Sequence, residues 1–122
     1  MDEGTKSKKY DLEDRTLAYA KATIQFVKRQ PQDIANREII KQLIRSACSV
    51  GANYIEANNK LGGKDFLMRI RICRKEARET KYWLSLIEIT GEASENARDN
   101  LIQETIELTK IFGSILAKTK AS

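Results

Sequence analysis

Apolar residues recur at steps of three and four along almost the whole chain, and a single proline, Pro31, interrupts that rhythm. A period near 3.6 sustained over segments of twenty or more residues admits long amphipathic helices and excludes half-buried strands. From Asp11 the series Leu17, Ala20, Ile24 and Val27 marks one helical face. Asp11 is the candidate N-cap, and Glu13 and Asp14 lie near the positive end of the helix dipole. Gln30-Pro31-Gln32-Asp33 closes this helix, since the residue before a proline is pushed out of the helical region. A second helix is predicted from Asp33 or Asn36 to Ala57, with Ile40, Leu43, Ala47, Val50, Tyr54 and Ala57 as its buried repeat. Ala47, Gly51 and Ala52 are small enough for another helix to approach closely, which would offset the cost of about 1 kcal/mol for a mid-helix glycine.

The turn formers Asn58-Asn59-Lys60-Leu61-Gly62-Gly63 lead into a third helix, predicted from about Lys64 to Thr90. Its repeat is Phe66, Ile70, Cys73, Ala77, Thr80, Leu84 and Ile87, and Gly91 suits its C-terminal cap. The fourth helix is predicted from Ser94, as N-cap, to Ala117, burying Leu101, Leu108, Phe112 and Ile115. Four such helices joined by short loops most simply form an all-α, antiparallel up-down-up-down bundle over residues 11–118. Residues 1–10 are expected to be flexible and 119–122 to form a tail. At 122 residues the chain is long enough to bury a core without metal or disulfide staples.

Composition narrows the chemistry. The chain has no histidine, which removes the usual general base, the commonest metal ligand and the Ser/His or Cys/His nucleophile pairs. No catalytic residue and no cofactor is expected, and the chain reads as a non-enzyme. Cys48 and Cys73 lie in apolar stretches without a CxxC spacing and read as small buried hydrophobes. Glu56, Glu76 and Glu79 lack the Glu-x-x-His partners of carboxylate metal bundles, so no metal site is expected. No apolar run approaches the roughly 20 residues that span a bilayer, and MDEGTKSKKY is too polar for a secretory signal, so a soluble, cytoplasmic protein without a membrane partner is expected.

Two surface features stand out. The apolar arc of the third helix is too wide for one core: Ile72, Trp83 and Leu86 lie roughly 100° from its centre. Either the core contact is wide and Trp83 is partly exposed, or the flank is buried against a neighbouring subunit; self-association is the preferred reading. Charge is also uneven. Residues 60–81 hold eight basic and three acidic residues, a net +5, whereas residues 82–122 carry a net −2. Arg71, Arg74, Lys75, Arg78 and Lys81 fall on one face of the third helix, read as opposite its core series, with Lys64 and Tyr82 alongside. A stripe about 15 Å long can follow several phosphates, although an ordinary solvated face would look the same. On the second helix Ser46, Ser49, Asn53 and Glu56 form a polar ladder, read as a hydrogen-bonding seam in which Asn53 and Glu56 meet partners such as Arg45.

The stretches RSACSVGANYIEA, from Arg45 to Ala57, and KEARETKYWLSLIEI, from Lys75 to Ile89, resemble the paired signatures of the four-helix-bundle proteins related to the 23S rRNA intervening-sequence proteins. Gln42 and Leu43 upstream and Lys64 to Phe66 between them extend the resemblance over about residues 12–118. Many relatives have Gly at the position of Ala57 and Thr at that of Cys48. The resemblance implies a ring-shaped homopentamer, similar to the accessory variability determinant of diversity-generating retroelements, a relative that binds nucleic acid and a reverse transcriptase. The expectation is therefore an oligomeric bundle that binds nucleic acid, RNA in the first place, through phosphate contacts along Arg71, Arg74, Lys75, Arg78 and Lys81. The alternative is a structural or adaptor protein that docks a protein partner through anchors such as Trp83.

Overall fold

The structure, a computed structural model, describes residues 3–59 and 62–121, with side chains for 12–59 and 62–119. It consists of four helices, α1 (Glu3–Lys28), α2 (Ile34–Ala57), α3 (Gly63–Leu86) and α4 (Gly91–Ala121), and no strand among the described residues. The flexible segment expected at 1–10 and the tail at 119–122 fall largely outside the residues whose side chains are described.

Cross-helix contacts fix the topology. Arg15 pairs with Glu104 and Glu107, while Gln30 reaches Ser94, so α1 and α4 run in opposite directions. Ser46 meets Thr80 and Asn53 meets Arg69, which makes α2 and α3 antiparallel. Each helix packs on its neighbours in chain order, and α4 closes the ring on α1 in an up-down-up-down bundle. The α1–α4 interface is the slimmest of the four.

The predicted core of α2 is observed in full: Ile40, Leu43, Ala47, Val50, Tyr54 and Ala57 are all buried. In α3, Ile70, Cys73, Ala77, Thr80, Leu84 and the following Ile87 are buried, and Phe66 packs at the edge. Leu101, Leu108 and Phe112 of α4 join them, with Tyr54 and Phe112 in tilted ring contact at 6.2 Å. Leu116 completes this stripe, and Ile115, expected there, is only partly buried.

The face of α1 is rotated from the one expected. Leu17 is 54% exposed, whereas Leu12, Thr16, Tyr19, Thr23, Phe26 and Val27 point inward. The reason is the behaviour of threonine. Thr16 and Thr23 donate their hydroxyls to the carbonyls of Leu12 and Tyr19 four residues back, at 2.9 and 2.8 Å. The polar atom is then satisfied within its own helix and the methyl group packs as a hydrophobe. Thr80 and Thr105 do the same against Glu76 and Leu101. The close approach expected at Gly51 is present, because a Cβ there would lie 2.9 Å from the hydroxyl of Thr16.

Helix ends differ from expectation in three places. α1 begins at Glu3, so Asp11 lies inside the helix and does not cap it. α3 stops at Leu86, four residues short of Thr90. The segment from Ile87 to Thr90 is not helical, and side-chain amides take up two of its backbone N–H groups. Gly91 adopts a left-handed φ of 83°, as a capping glycine does, but at the entry to α4. Ser94 is therefore within α4; its buried hydroxyl accepts a hydrogen bond from Gln30 Nε2 at 2.9 Å. Asp33 does cap α2, accepting from the backbone N–H of Asn36.

Candidate functional site

Taking 100° per residue, the surface of α3 divides into three stripes about 120° apart. One is the core series. The second contains Ile72, Glu76, Glu79, Trp83 and Leu86 and turns toward α2. The third contains Arg71, Arg74, Lys75, Arg78 and Lys81 and turns toward α4. The basic residues are thus not opposite the core, as read from the sequence, but border the seam with the next helix.

On the α2 side the polar groups are tied together. Arg45 makes ion pairs with Glu76 and with Glu79, and the Trp83 indole N–H donates to Glu79 Oε2 at 3.2 Å. Tyr82 stands edge-on to Trp83 at 4.9 Å. Trp83 packs half-buried against the core, Ile72 is half-buried and Leu86 is 48% exposed. The polar ladder of α2 is a seam in its upper part. The hydroxyls of Ser46 and Thr80 share a hydrogen bond of 2.8 Å, and Asn53 accepts from Arg69 at 3.0 Å while donating to the carbonyl of Ser49. Arg45, expected as the partner of Asn53 and Glu56, is taken by Glu76 and Glu79 instead, and Glu56 is exposed. The reason is register: Glu76 and Glu79 on the antiparallel α3 come level with Arg45, while Asn53, two turns along α2, comes level with Arg69.

On the α4 side the situation is opposite. Arg71, Arg74, Lys75, Arg78 and Lys81 are all exposed. Among the described residues no carboxylate lies within ion-pair distance of any of the five, although Arg15, Lys41, Arg45 and Arg98 each have one. Arg71, Arg74, Lys75 and Arg78 form one wall of an open cavity of about 560 Å³, and Gly113, Leu116 and Ala117 of α4 complete it. A second recess of about 300 Å³ continues along the seam, lined by Arg78, Lys81, Ile106, Thr109 and Lys110. Arg78 borders both, so the two recesses follow one another along the α3–α4 seam as a trough with Arg78 between them. Lys110 is not legible in the sequence as part of the site, because it lies 29 residues beyond Lys81 on another helix and nothing local announces that neighbourhood.

Among the described residues both cysteines are free; Cys48, expected to be buried, is half-buried, and Cys73 is buried. No group of three or more His, Cys, Asp or Glu residues is placed to hold a metal ion among the described residues. Cys73 is fully buried, its thiol directed at the carbonyl of Val50, and burial pushes its pKa up to about 12, so it carries no reactive thiolate. Arg15, by contrast, holds the Glu107 carboxyl below its ordinary range through their hydrogen bond. Between α1 and α4 an apolar cleft of about 500 Å³ opens over Tyr19, Phe26 and Leu101. Alanines 18, 22 and 97 leave it unfilled, and these small residues are the signal by which the sequence could have disclosed it. Among the described residues no helix is long and apolar enough to cross a membrane.

Comparison with known proteins agrees with this architecture. A solved structure described as a protein of unknown function from the S23 ribosomal protein family, from Bacteroides thetaiotaomicron, is 29% identical in sequence, with a TM-score of 0.72. The match covers 85% of this chain and 96% of that one. No match is found among curated proteins. The sequence profile of the family described as 23S rRNA-intervening sequence protein matches residues 8–114. With that match spanning most of the four helices, the chain belongs to the 23S rRNA-intervening sequence protein family.

Proposed function

We propose that the protein is a non-enzymatic, oligomeric helical bundle that binds nucleic acid, RNA in the first place, through phosphate contacts without base-specific readout. The observation that carries this is the row of five cations on α3 that no carboxylate among the described residues neutralises, set along a trough open to solvent. A solvated helix face usually pairs its charges at i, i+4 spacing. Here the acidic residues of α3, Glu76 and Glu79, are engaged by Arg45 on the other side, which leaves the α4 side with one sign of charge. Membership in a family named for 23S rRNA intervening sequences agrees with an RNA-related role.

The test is the triple substitution Arg71→Gln, Arg74→Gln and Arg78→Gln, which keeps good helix formers on an exposed face and should leave the fold intact. Affinity for an arbitrary structured RNA should fall similarly across sequences. The slope of log K against log salt should flatten by roughly one unit for each phosphate that the variant no longer neutralises. Unchanged affinity in the folded variant would reject the site. Salt-independent docking of a protein, with no nucleic-acid binding, would favour the adaptor reading instead.

Self-association is part of the same proposal. Met68 and Leu86, 46% and 48% exposed, flank the half-buried Ile72 and Trp83 along the α2 side of α3, a stripe that a second subunit can cover. A closed ring would repeat the basic trough once per subunit and turn weak contacts into strong ones. Sedimentation at micromolar concentration should show a species near five times the 13.9 kDa chain. A clean monomer would refute the assembly.

A further inference from the structure

Gly113 lies in the interior of α4, where glycine is the poorest helix former after proline. Its φ is not in the left-handed region, so the backbone does not require it. Packing does not require it either. A Cβ at this position would come no closer than 3.8 Å to anything outside its own helix, and the atom met is Nε of the exposed, flexible Arg74. Gly51 is different, since there a Cβ would meet Thr16 at 2.9 Å. What Gly113 does is leave the main chain of α4 half-exposed where it lines the basic trough, with the Arg74 side chain beside it.

The trough's two walls are unlike. The α3 wall is cationic from Arg71 to Lys81, about 15 Å of helix. The α4 wall is apolar at Ile106, Leu116 and Ala117, with Thr109, Lys110 and Gly113 between them. Among the described residues no Asn, Gln, Asp or Glu side chain lines either recess. Resting on the phosphate-binding reading above, we infer that this trough is built for a single strand of nucleic acid, with Gly113 as the floor on which a nucleotide lies. The strand's phosphates follow the α3 wall, and the faces of roughly two or three bases rest against the α4 wall. A duplex is wider than the spacing of two packed helices, about 8–10 Å between axes. It reaches the outer cations only and gains nothing from the floor. The apolar wall and the absence of amide and carboxylate groups make the site tolerant of sequence.

The experiment compares a labelled oligouridine, which has no paired structure, with an RNA duplex of the same length, each titrated at low salt. The wild-type protein and the variants Gly113→Ala and Gly113→Leu are used as full chains. Both substitutions improve helix propensity, and thermal melting should show folds at least as stable as the wild type. The wild type should bind the oligouridine more tightly than the duplex. Gly113→Leu should weaken the oligouridine by about tenfold, because the leucine side chain fills the room of a nucleotide, and leave the duplex within about twofold. Gly113→Ala should fall between, which keeps the test decisive if leucine disturbs the helix. Tighter duplex binding by the wild type, or equal effects of Gly113→Leu on both probes, or none on either, would overturn the single-strand trough and leave phosphate binding standing. A wild type that binds neither probe would remove the phosphate-binding reading itself.

Discussion

Asn36→Ala should cost the bundle about 3 kcal/mol or more, seen as a Tm lower by roughly 10 °C and a correspondingly lower denaturant midpoint. Asn36 is 1% exposed and stands two residues into α2. Its Nδ2 donates to the carbonyls of Pro31, at 2.8 Å, and Glu88, at 3.1 Å, and its Oδ1 accepts from the N–H of Glu88 at 2.8 Å. One side chain thus holds the turn after α1 against the segment that leaves α3. Alanine would strand three backbone groups, each costing about 1–3 kcal/mol where water cannot replace the partner. Asp33→Ala is the comparison. It removes only the N-cap of the same helix, worth about 1 kcal/mol. If the two variants were equally stable, the link between the α1–α2 and α3–α4 turns would contribute nothing. Gln30 acts in parallel, donating to Ser94 and accepting from the N–H of Thr90.

The second large effect is expected at Gly51. Gly51→Leu should destabilise by about 3 kcal/mol, and Gly51→Ala by about 1 kcal/mol, although either residue is the better helix former. The sign follows from Thr16. A Cβ at position 51 would lie 2.9 Å from Thr16 Oγ1 and 3.1 Å from Thr16 Cβ. Thr16 is 1% exposed and its hydroxyl is bound to the carbonyls of Leu12 and Glu13, so it cannot swing away and α1 itself must move. Thr16→Ala combined with Gly51→Ala should recover part of the stability. A double-mutant cycle should give a coupling of about 1 kcal/mol in that direction. A more stable Gly51→Ala single variant would show that α1 and α2 are not held at this separation.

These two sites mark where the sequence is readable and where it is not. The buried repeat of α2, most of that of α3, and Leu101, Leu108 and Phe112 of α4 are legible because their apolar residues follow the helical period directly. Gly51 is legible as a place for close approach because a glycine inside such a repeat has few other uses. The inward face of α1 differs by about one residue from the periodic reading, since Thr16 and Thr23 count as polar by composition and behave as apolar once their hydroxyls bond within the helix. Asn36 and Gln30 give no signal as buried residues. Their partners across the bundle lie 52 to 64 positions away, and an amide next to a proline turn reads as solvated loop chemistry.

The five cations of the candidate site are likewise visible as a stripe, but the trough is not. Periodicity gives the angle of a residue on its own helix, which is a local quantity, and so the chain by itself determined four helices, their inward faces for α2 to α4 and the concentration of positive charge on α3. Which helix lies beside each stripe depends on how four faces pack at once, with α1 seated on α2 by the contact at Gly51 and the α3–α4 turn held by Asn36 and Gln30. Only the tertiary structure decided that Arg45 neutralises Glu76 and Glu79, that Asn53 meets Arg69, and that the basic residues face Gly113, Leu116 and Lys110 across a seam. These pairings follow from the relative register and rotation of packed helices, quantities that no single helix encodes.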